Sequence, residues 1–224
     1  MTFSLVVRDG ERFGIAVSSS SPAVAARVVH LSPGVGAAAS QNVTDPTLGT
    51  SLLAGLTEHG DAQRALTDVT GAARHAKTIE HRQLTVVGRS GPGCAYSGSG
   101  TLGTYATATA DGAVAAGNML AGEHIPQVLL DAYAAAGGEL EERLVAALRA
   151  AVEAGGEVGP VHSAGLAVVA DVGWRVTDLR VDWADDPVDR LAELLDVWLP
   201  QRDDYVRRGL DPAAAPSYGV PGDL

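Results

Sequence analysis

Lysine is nearly absent from these 224 residues: Lys77 is the only one, and 16 basic side chains face 27 acidic ones for a formal charge of −11. With the arginines scattered singly among acids, no basic stripe exists for a phosphate backbone or an anionic lipid surface, so neither nucleic acid nor membrane is an expected partner. Cysteine is equally scarce, and the single Cys94 excludes an internal disulfide. Aromatics make up 4% of the chain while Ala, Gly and Val dominate, which points to closely stacked layers of small side chains. No apolar run approaches the roughly 20 residues that span a bilayer, and no basic-then-apolar leader opens the sequence. These absences lead to the expectation of a cytoplasmic protein.

Motifs for bound groups are lacking too. There is no G-x-S-x-G elbow before a helix and no phosphate-binding GxxxxGK[ST] loop, and the six histidines show no zinc spacing. Gly98-Ser99-Gly100 lacks the helix and lysine that would make it a phosphate cradle. The expectation is no metal and no cofactor.

What is present is alternation and turn chemistry. Residues 2–8 and 13–20 alternate around Asp9-Gly10-Glu11-Arg12, as an antiparallel hairpin does. Residues 34–41 form a third strand of small side chains. Asp45-Pro46 opens a helix that Gly60 stops, and Asp61 caps a second, expected to run to about His75. Residues 83–88, 94–97, 104–110 and 113–118 read as one meander of strands. Helices over 122–136 and 139–154 follow, then strands over 163–170 and 174–181, then a helix opened by Asp186-Pro187. Antiparallel strand groups separated by helix pairs imply an α+β fold, a four-layer αββα sandwich. The domain is expected over 1–200, with 201–224 a C-terminal arm or tail on which a homo-oligomer could pack.

The chemistry starts at the second residue. Thr2 is small enough for Met1 to be removed, and a free α-amino group would then sit beside the Thr2 hydroxyl. α-Amino groups titrate at about 7.7 to 8.0, so the amine can take the hydroxyl proton near neutrality. Polar residues close the neighbouring strands: Ser18, Ser19, Ser20 and Ser21, then Gln41, then Asn118. They can converge on Thr2 as oxyanion donors or as holders of its amine, and each also suits a strand-end cap. His162-Ser163 offers a proton shuttle beside a hydroxyl, but adjacent strand residues point to opposite faces. Arg180, between Asp178 and Asp182 on one face, is either a structural ion pair or an anchor for a substrate carboxylate.

Several segments taken together resemble a known family. They are Thr2-Phe3-Ser4 with Arg8-Asp9, Gly14-Ile15-Ala16-Val17-Ser18-Ser19, Gly34-Val35-Gly36-Ala37 leading to Ser40-Gln41, Gly117-Asn118-Met119-Leu120-Ala121-Gly122, Ser163-Ala164, and Asp178-Leu179-Arg180-Val181-Asp182 with Asp186-Pro187-Val188. In order and spacing they resemble the bacterial proteins grouped as domain of unknown function 1028 (DUF1028), assigned to the N-terminal-nucleophile (Ntn) hydrolases. The resemblance implies the αββα fold and places Thr2 at the nucleophile position; it supplies no substrate. The chain departs from the family where it has His162 for a Gln before Ser-Ala, and Gly155-Gly156-Glu157 for Gly-Gly-Asp. The function expected is that of an amidohydrolase acting on a small amide or peptide-like metabolite. Thr2 would attack and Asn118 and Gln41 would donate to the oxyanion, with Ser18, Ser20, Ser163 and Arg180 as substrate-binding candidates. The alternative is a non-catalytic binding or assembly module on the same fold.

Overall fold

The computed structural model describes residues 1–220. It opens on the expected hairpin, β1 (Thr2–Asp9) against β2 (Arg12–Ser19), with Phe3 opposite Ser18 and Asp9 opposite Arg12. Gly10 takes the turn at φ 61°, a left-handed value that glycine adopts without steric cost. A four-residue helix α1 (Ala25–Val28) leads into β3 (Val29–Ser32), which pairs with β4 (Gly36–Asn42). Neither short piece was visible in the sequence, because four residues are too few to display a period.

Helix α2 (Pro46–His59) begins where Asp45 accepts the Thr47 N–H at 3.0 Å and ends at Gly60 with φ 69°. Asp61 caps α3 (Ala62–Thr70) by accepting the Arg64 N–H at 2.8 Å. This helix ends at Thr70, five residues before the expected end at His75, with Gly71 as its cap, and 73–75 form a separate single turn. The chain then runs through β5 (Arg82–Gly88), β6 (Cys94–Ser97), β7 (Ala106–Ala110) and β8 (Ala113–Asn118). After these come α4 (Ile125–Ala135), α5 (Leu140–Glu153), β9 (Ser163–Val169), β10 (Arg175–Val181), α6 (Pro187–Trp198) and α7 (Arg202–Leu210).

The strands form two antiparallel sheets, one of six in the order β10-β9-β2-β1-β8-β7 and one of four in the order β3-β4-β5-β6. The segment expected to be one meander is therefore divided, β5 and β6 in the smaller sheet and β7 and β8 in the larger. Alternation marks a strand but does not name its partner. Helices α4, α5 and α6 cover the outer face of the six-stranded sheet through Phe3, Leu5, Leu144, Leu148 and Leu191. Helices α2 and α3 cover the other sheet through Leu48, Leu52, Leu66, Leu84 and Val86. The two sheets meet through Val6, Ile15, Val17, Ala37, Ala39 and Val87. This is the α+β, four-layer αββα sandwich expected from the sequence. Gly14 lets α5 approach β2, since a Cβ there would lie 2.8 Å from Leu144 Cδ1.

Arg202, at the head of α7, reaches Glu139 and the buried Glu141, both at 3.1 Å, and Glu141 also accepts from Thr177 at 2.7 Å. Arg208 lies over the Tyr218 ring at 4.0 Å. Of the expected arm over 201–224, the last four residues fall outside the described residues. Among the described residues no helix is long and apolar enough to cross a membrane.

Candidate functional site

Successive residues on a strand point to opposite faces, so every second residue faces the same layer. On four strands this step runs from apolar to polar towards the same end of the inter-sheet space. β1 goes Val6, Ser4, Thr2; β4 goes Ala37, Ala39, Gln41; β5 goes Val87, Thr85, Gln83; β8 goes Val114, Ala116, Asn118. Register completes the assembly, with Thr2 opposite Asn118 and Gln41 opposite Gln83. β1 is a central strand of its sheet, so Thr2 lies at a strand end deep in the sandwich and not on an edge.

Burial obliges these groups to pair with one another. Ser4 donates to Gln41 Oε1 at 2.7 Å, and the Gln41 amide nitrogen donates to Gln83 Oε1 at 2.8 Å and to the Ala116 carbonyl at 3.2 Å. Gln83 donates to Ser97 Oγ and to the Gly117 carbonyl, both at 3.0 Å, and its Oε1 also receives Asn118 Nδ2 at 3.1 Å. Both amide hydrogens of Gln41 are spent in the scaffold. Gln41 therefore fixes Gln83, and through it Asn118, and has no hydrogen left for an oxyanion.

Thr2 is 4% exposed. Its hydroxyl and the Ser19 hydroxyl both donate to the carbonyl oxygen of Met1, and the two oxygens are 3.4 Å apart. Behind Ser19 stands Ser21, Oγ to Oγ 2.8 Å, and the Ser21 N–H also reaches Ser19 Oγ at 3.1 Å. Arg27 donates to Ser21 Oγ at 2.6 Å while its other nitrogen holds the Pro22 and Ala23 carbonyls. A guanidinium only donates, so the Ser21 proton can pass to Ser19 and the Ser19 proton to the carbonyl oxygen. The result is a one-directional donor relay from Arg27 to the acyl oxygen next to Thr2, with each bond polarising the next.

Glu157 closes the same end. It is 2% exposed, bridges to Leu120, and takes the Ser20 N–H on both carboxylate oxygens at 3.3 and 3.2 Å. Burial pushes its carboxyl up to about 7, against the opposing pull of the chain's N-terminal ammonium and of Ser20. The flanking bonds from Ala121 N to the Gly156 carbonyl and from Val158 N to the Met119 carbonyl, 2.9 and 3.0 Å, hold its loop to the chain just beyond β8.

The remaining expected residues are placed differently. Ser18 points to the opposite face of β2 from Ser19 and donates to the Ser163 carbonyl at 3.0 Å. Ser20 contributes its backbone N–H to Glu157. Ser163 Oγ donates to the Ser21 carbonyl at 2.6 Å and accepts the Val24 N–H at 3.3 Å, so it secures the loop that carries Ser21. The His162 ring stacks on Trp183 with centroids 4.4 Å apart, and its Nδ1 lies 3.1 Å from the Ala184 carbonyl, turned away from any pairing with Ser163. Arg180 is remote from Thr2: it sits on the outermost strand β10, with β9 and β2 between it and β1, about 14 Å at the usual strand spacing. Its fork is taken by Asp182 at 2.8 and 3.0 Å, while Asp178 pairs with Arg175 at 2.7 Å. Gln83 and Arg27 were not singled out in the sequence, while Ser21 was named only as one of four serines closing β2 and Glu157 only as a departure from the family's Gly-Gly-Asp. Gln83 was legible as the polar end of the Val87, Thr85 step; the others lie in loops or a short helix whose placement no local pattern fixes. Among the described residues no three His, Cys, Asp or Glu side chains gather closely enough to share a metal ion.

A family model described as "Family of unknown function (DUF1028)" matches residues 2–191. A crystal structure of a DUF1028 protein from Silicibacter pomeroyi is 26% identical, covers 92% of this chain and 90% of its own, and superposes with a TM-score of 0.82. HslV from Trypanosoma brucei is 16% identical over 74% of this chain and 98% of its own, with a TM-score of 0.47. An Anbu mutant from a Hyphomicrobium species is 13% identical over 90% of this chain and 96% of its own, at 0.49. Likenesses that loose transfer no residue roles. No curated protein matches the sequence.

Proposed function

The chain belongs to the DUF1028 family, and from that premise we propose that it is an Ntn-type amide hydrolase whose nucleophile is Thr2, freed by removal of Met1, acting on a small amide or peptide-like metabolite in the cytoplasm. The observation that carries the proposal is the convergence of two hydroxyls, Thr2 and Ser19, on one acyl oxygen covalently next to Thr2. That oxygen belongs to the Met1 acyl group on the Thr2 nitrogen. It stands in for the carbonyl oxygen of a substrate acyl group on the neighbouring Thr2 Oγ1.

In the proposed reaction the Thr2 α-amine takes the hydroxyl proton as Oγ1 attacks the amide carbon. Negative charge gathers on the carbonyl oxygen, where the Ser19 hydroxyl, polarised through Ser21 and Arg27, and the Asn118 amide can stabilise it. The resulting ammonium then protonates the leaving nitrogen as the C–N bond breaks, leaving an ester on Thr2. Water attacks this ester with the amine as base; the acid departs and Oγ1 recovers its proton. Lys77, the one lysine, is exposed beyond α3, so the amine is the base nearest to hand.

One observation favours the alternative of a binding or assembly module. With Met1 in place the Thr2 hydroxyl is buried and fully engaged. In either reading a second copy of the chain would find Leu194 and Val197 exposed on α6 at 42% and 66%, and light scattering reads that association. The test of the function is intact mass of the purified protein, showing loss of the first methionine, together with amide turnover that Thr2→Ser retains and Thr2→Ala loses. Retained Met1, or equal turnover in Thr2→Ala, rejects the hydrolase.

A further inference from the structure

β1 ends at Thr2, but the chain on either side of it continues, through Ser20 beyond β2 and Leu120 beyond β8. Glu157 lies between these two. It pairs with Leu120 in an antiparallel bridge, and its carboxylate takes the Ser20 N–H that a longer β1 would have taken. Continuing the β1–β2 register by two residues and the β1–β8 register by one sets residue 1 opposite Ser20 and Met119. Between Thr2 and Glu157, which stands opposite Leu120, the register leaves a slot of one residue's length, about 3.4 Å, and the residue that falls there is Met1. Its carbonyl oxygen is held by the Ser19 and Thr2 hydroxyls. Its α-ammonium favours the ionised form of the Glu157 carboxyl.

Thr2 N and Thr2 Oγ1 are separated by only two carbons, so an acyl group on either can present its oxygen to the same Ser19 hydroxyl. The substituent on the far side of that acyl carbon then lies before Glu157. A buried carboxylate is costly to ionise alone and is stabilised by a hydrogen-bonded cation. We infer that the acyl half of the substrate is a single residue with a free amino group beside its carbonyl, an aminoacyl amide or the amino end of a short peptide, its ammonium received by Glu157. The inference rests on Thr2 being the nucleophile and adds the substrate class to that reading.

The experiment uses full-length protein with a verified Thr2 amino terminus and two probes, alanine para-nitroanilide and its N-acetyl derivative. The free-amine probe is expected to be cleaved with a kcat/KM about tenfold or more above the acetylated one. Glu157→Gln, which keeps an acceptor for Ser20, is expected to bring the ratio of the two rates close to one, the free-amine probe losing about tenfold more than the acetylated one. Equal cleavage of the two probes, or a Glu157→Gln variant that slows both alike, overturns the inference. If neither anilide is cleaved, the hydrolase reading fails for these amides and the slot is read by calorimetry on Thr2→Ala. Tighter binding of alaninamide than of N-acetylalaninamide, lost in Glu157→Gln, supports the slot; equal binding, or binding of neither, overturns it.

Discussion

Between the two sheets, the same strands build two unlike ends. At one end Val6, Ile15, Val17, Ala37, Ala39, Val87 and Val114 interlock with no polar side chain among them. At the other, Thr2, Ser4, Ser19, Gln41, Gln83 and Asn118 are just as deeply buried, and polar pairing takes the place of apolar packing. The first end is held by transfer of apolar surface from water, which is indifferent to small shifts. The second is held by directional bonds that fix each group's orientation, because an unpaired member would bear its full desolvation cost. A sandwich can thus keep its sheets together at one end and hold reactive groups in register at the other. Thr85 marks the boundary: it faces the same layer, between Gln83 and Val87, and its hydroxyl has no partner.

The largest expected effect breaks the polar end at its reactive atom. Thr2→Ala should lower amide turnover by about a thousandfold or more with a melting temperature within a few degrees of wild type; steady-state rates and calorimetry on one preparation check both. Ser19→Ala removes the terminal donor of the Arg27 relay and should cost about a hundredfold in kcat with KM little changed. A rise in KM at constant kcat would instead make Ser19 a ground-state contact.

The apolar end should respond in the opposite currency. Ile15→Ala, at a side chain with no exposure, should cost about 3 kcal/mol of stability in denaturant titration while leaving the rate per folded molecule unchanged. Loss of rate without loss of stability there would erase the distinction between the ends.

Glu157 gives a smaller, pH-resolved effect. Its carboxyl is raised from 4.5 to about 7 in the fold, so over that window the folded chain keeps a proton that the unfolded chain has released. The associated stability is fully present below the unfolded value and is lost as the pH climbs through about 7. It amounts to about 1 to 3 kcal/mol. The groups facing it are the N-terminal ammonium and the Ser20 N–H. Thermal melts across this range should decline for the wild type and run flatter for Glu157→Gln. The smallest effect is expected at the boundary itself, where Thr85→Val replaces an unpartnered hydroxyl by a methyl of similar shape and should stabilise by about 1 kcal/mol in chemical unfolding.

Much of this was legible in the chain. Asp45-Pro46 with Gly60, the Asp9-Gly10 turn and the alternation of residues 2–8 are local signals, and each element they announced is present. The polar residues at the strand ends were legible as a set, but not as a network: nothing local says that Gln41 meets Gln83 or that Asn118 lies opposite Thr2. The α3 end was misjudged because Gly71 closes the helix while the residues after it still turn.

Sequence by itself determined the kinds of element and the polar head of each central strand, since period and capping depend on residues a few positions apart. Only the tertiary structure decided which heads share a space. It divided one run of strands between two sheets, turned Ser18 away while bringing Ser19 to Thr2, sent Arg180 to the far edge, and carried Glu157 to the end of β1. These depend on pairings such as Thr2 with Ser19, 17 positions apart, and Ser18 with Ser163, 145 apart, where burial and register, not local preference, select the partner.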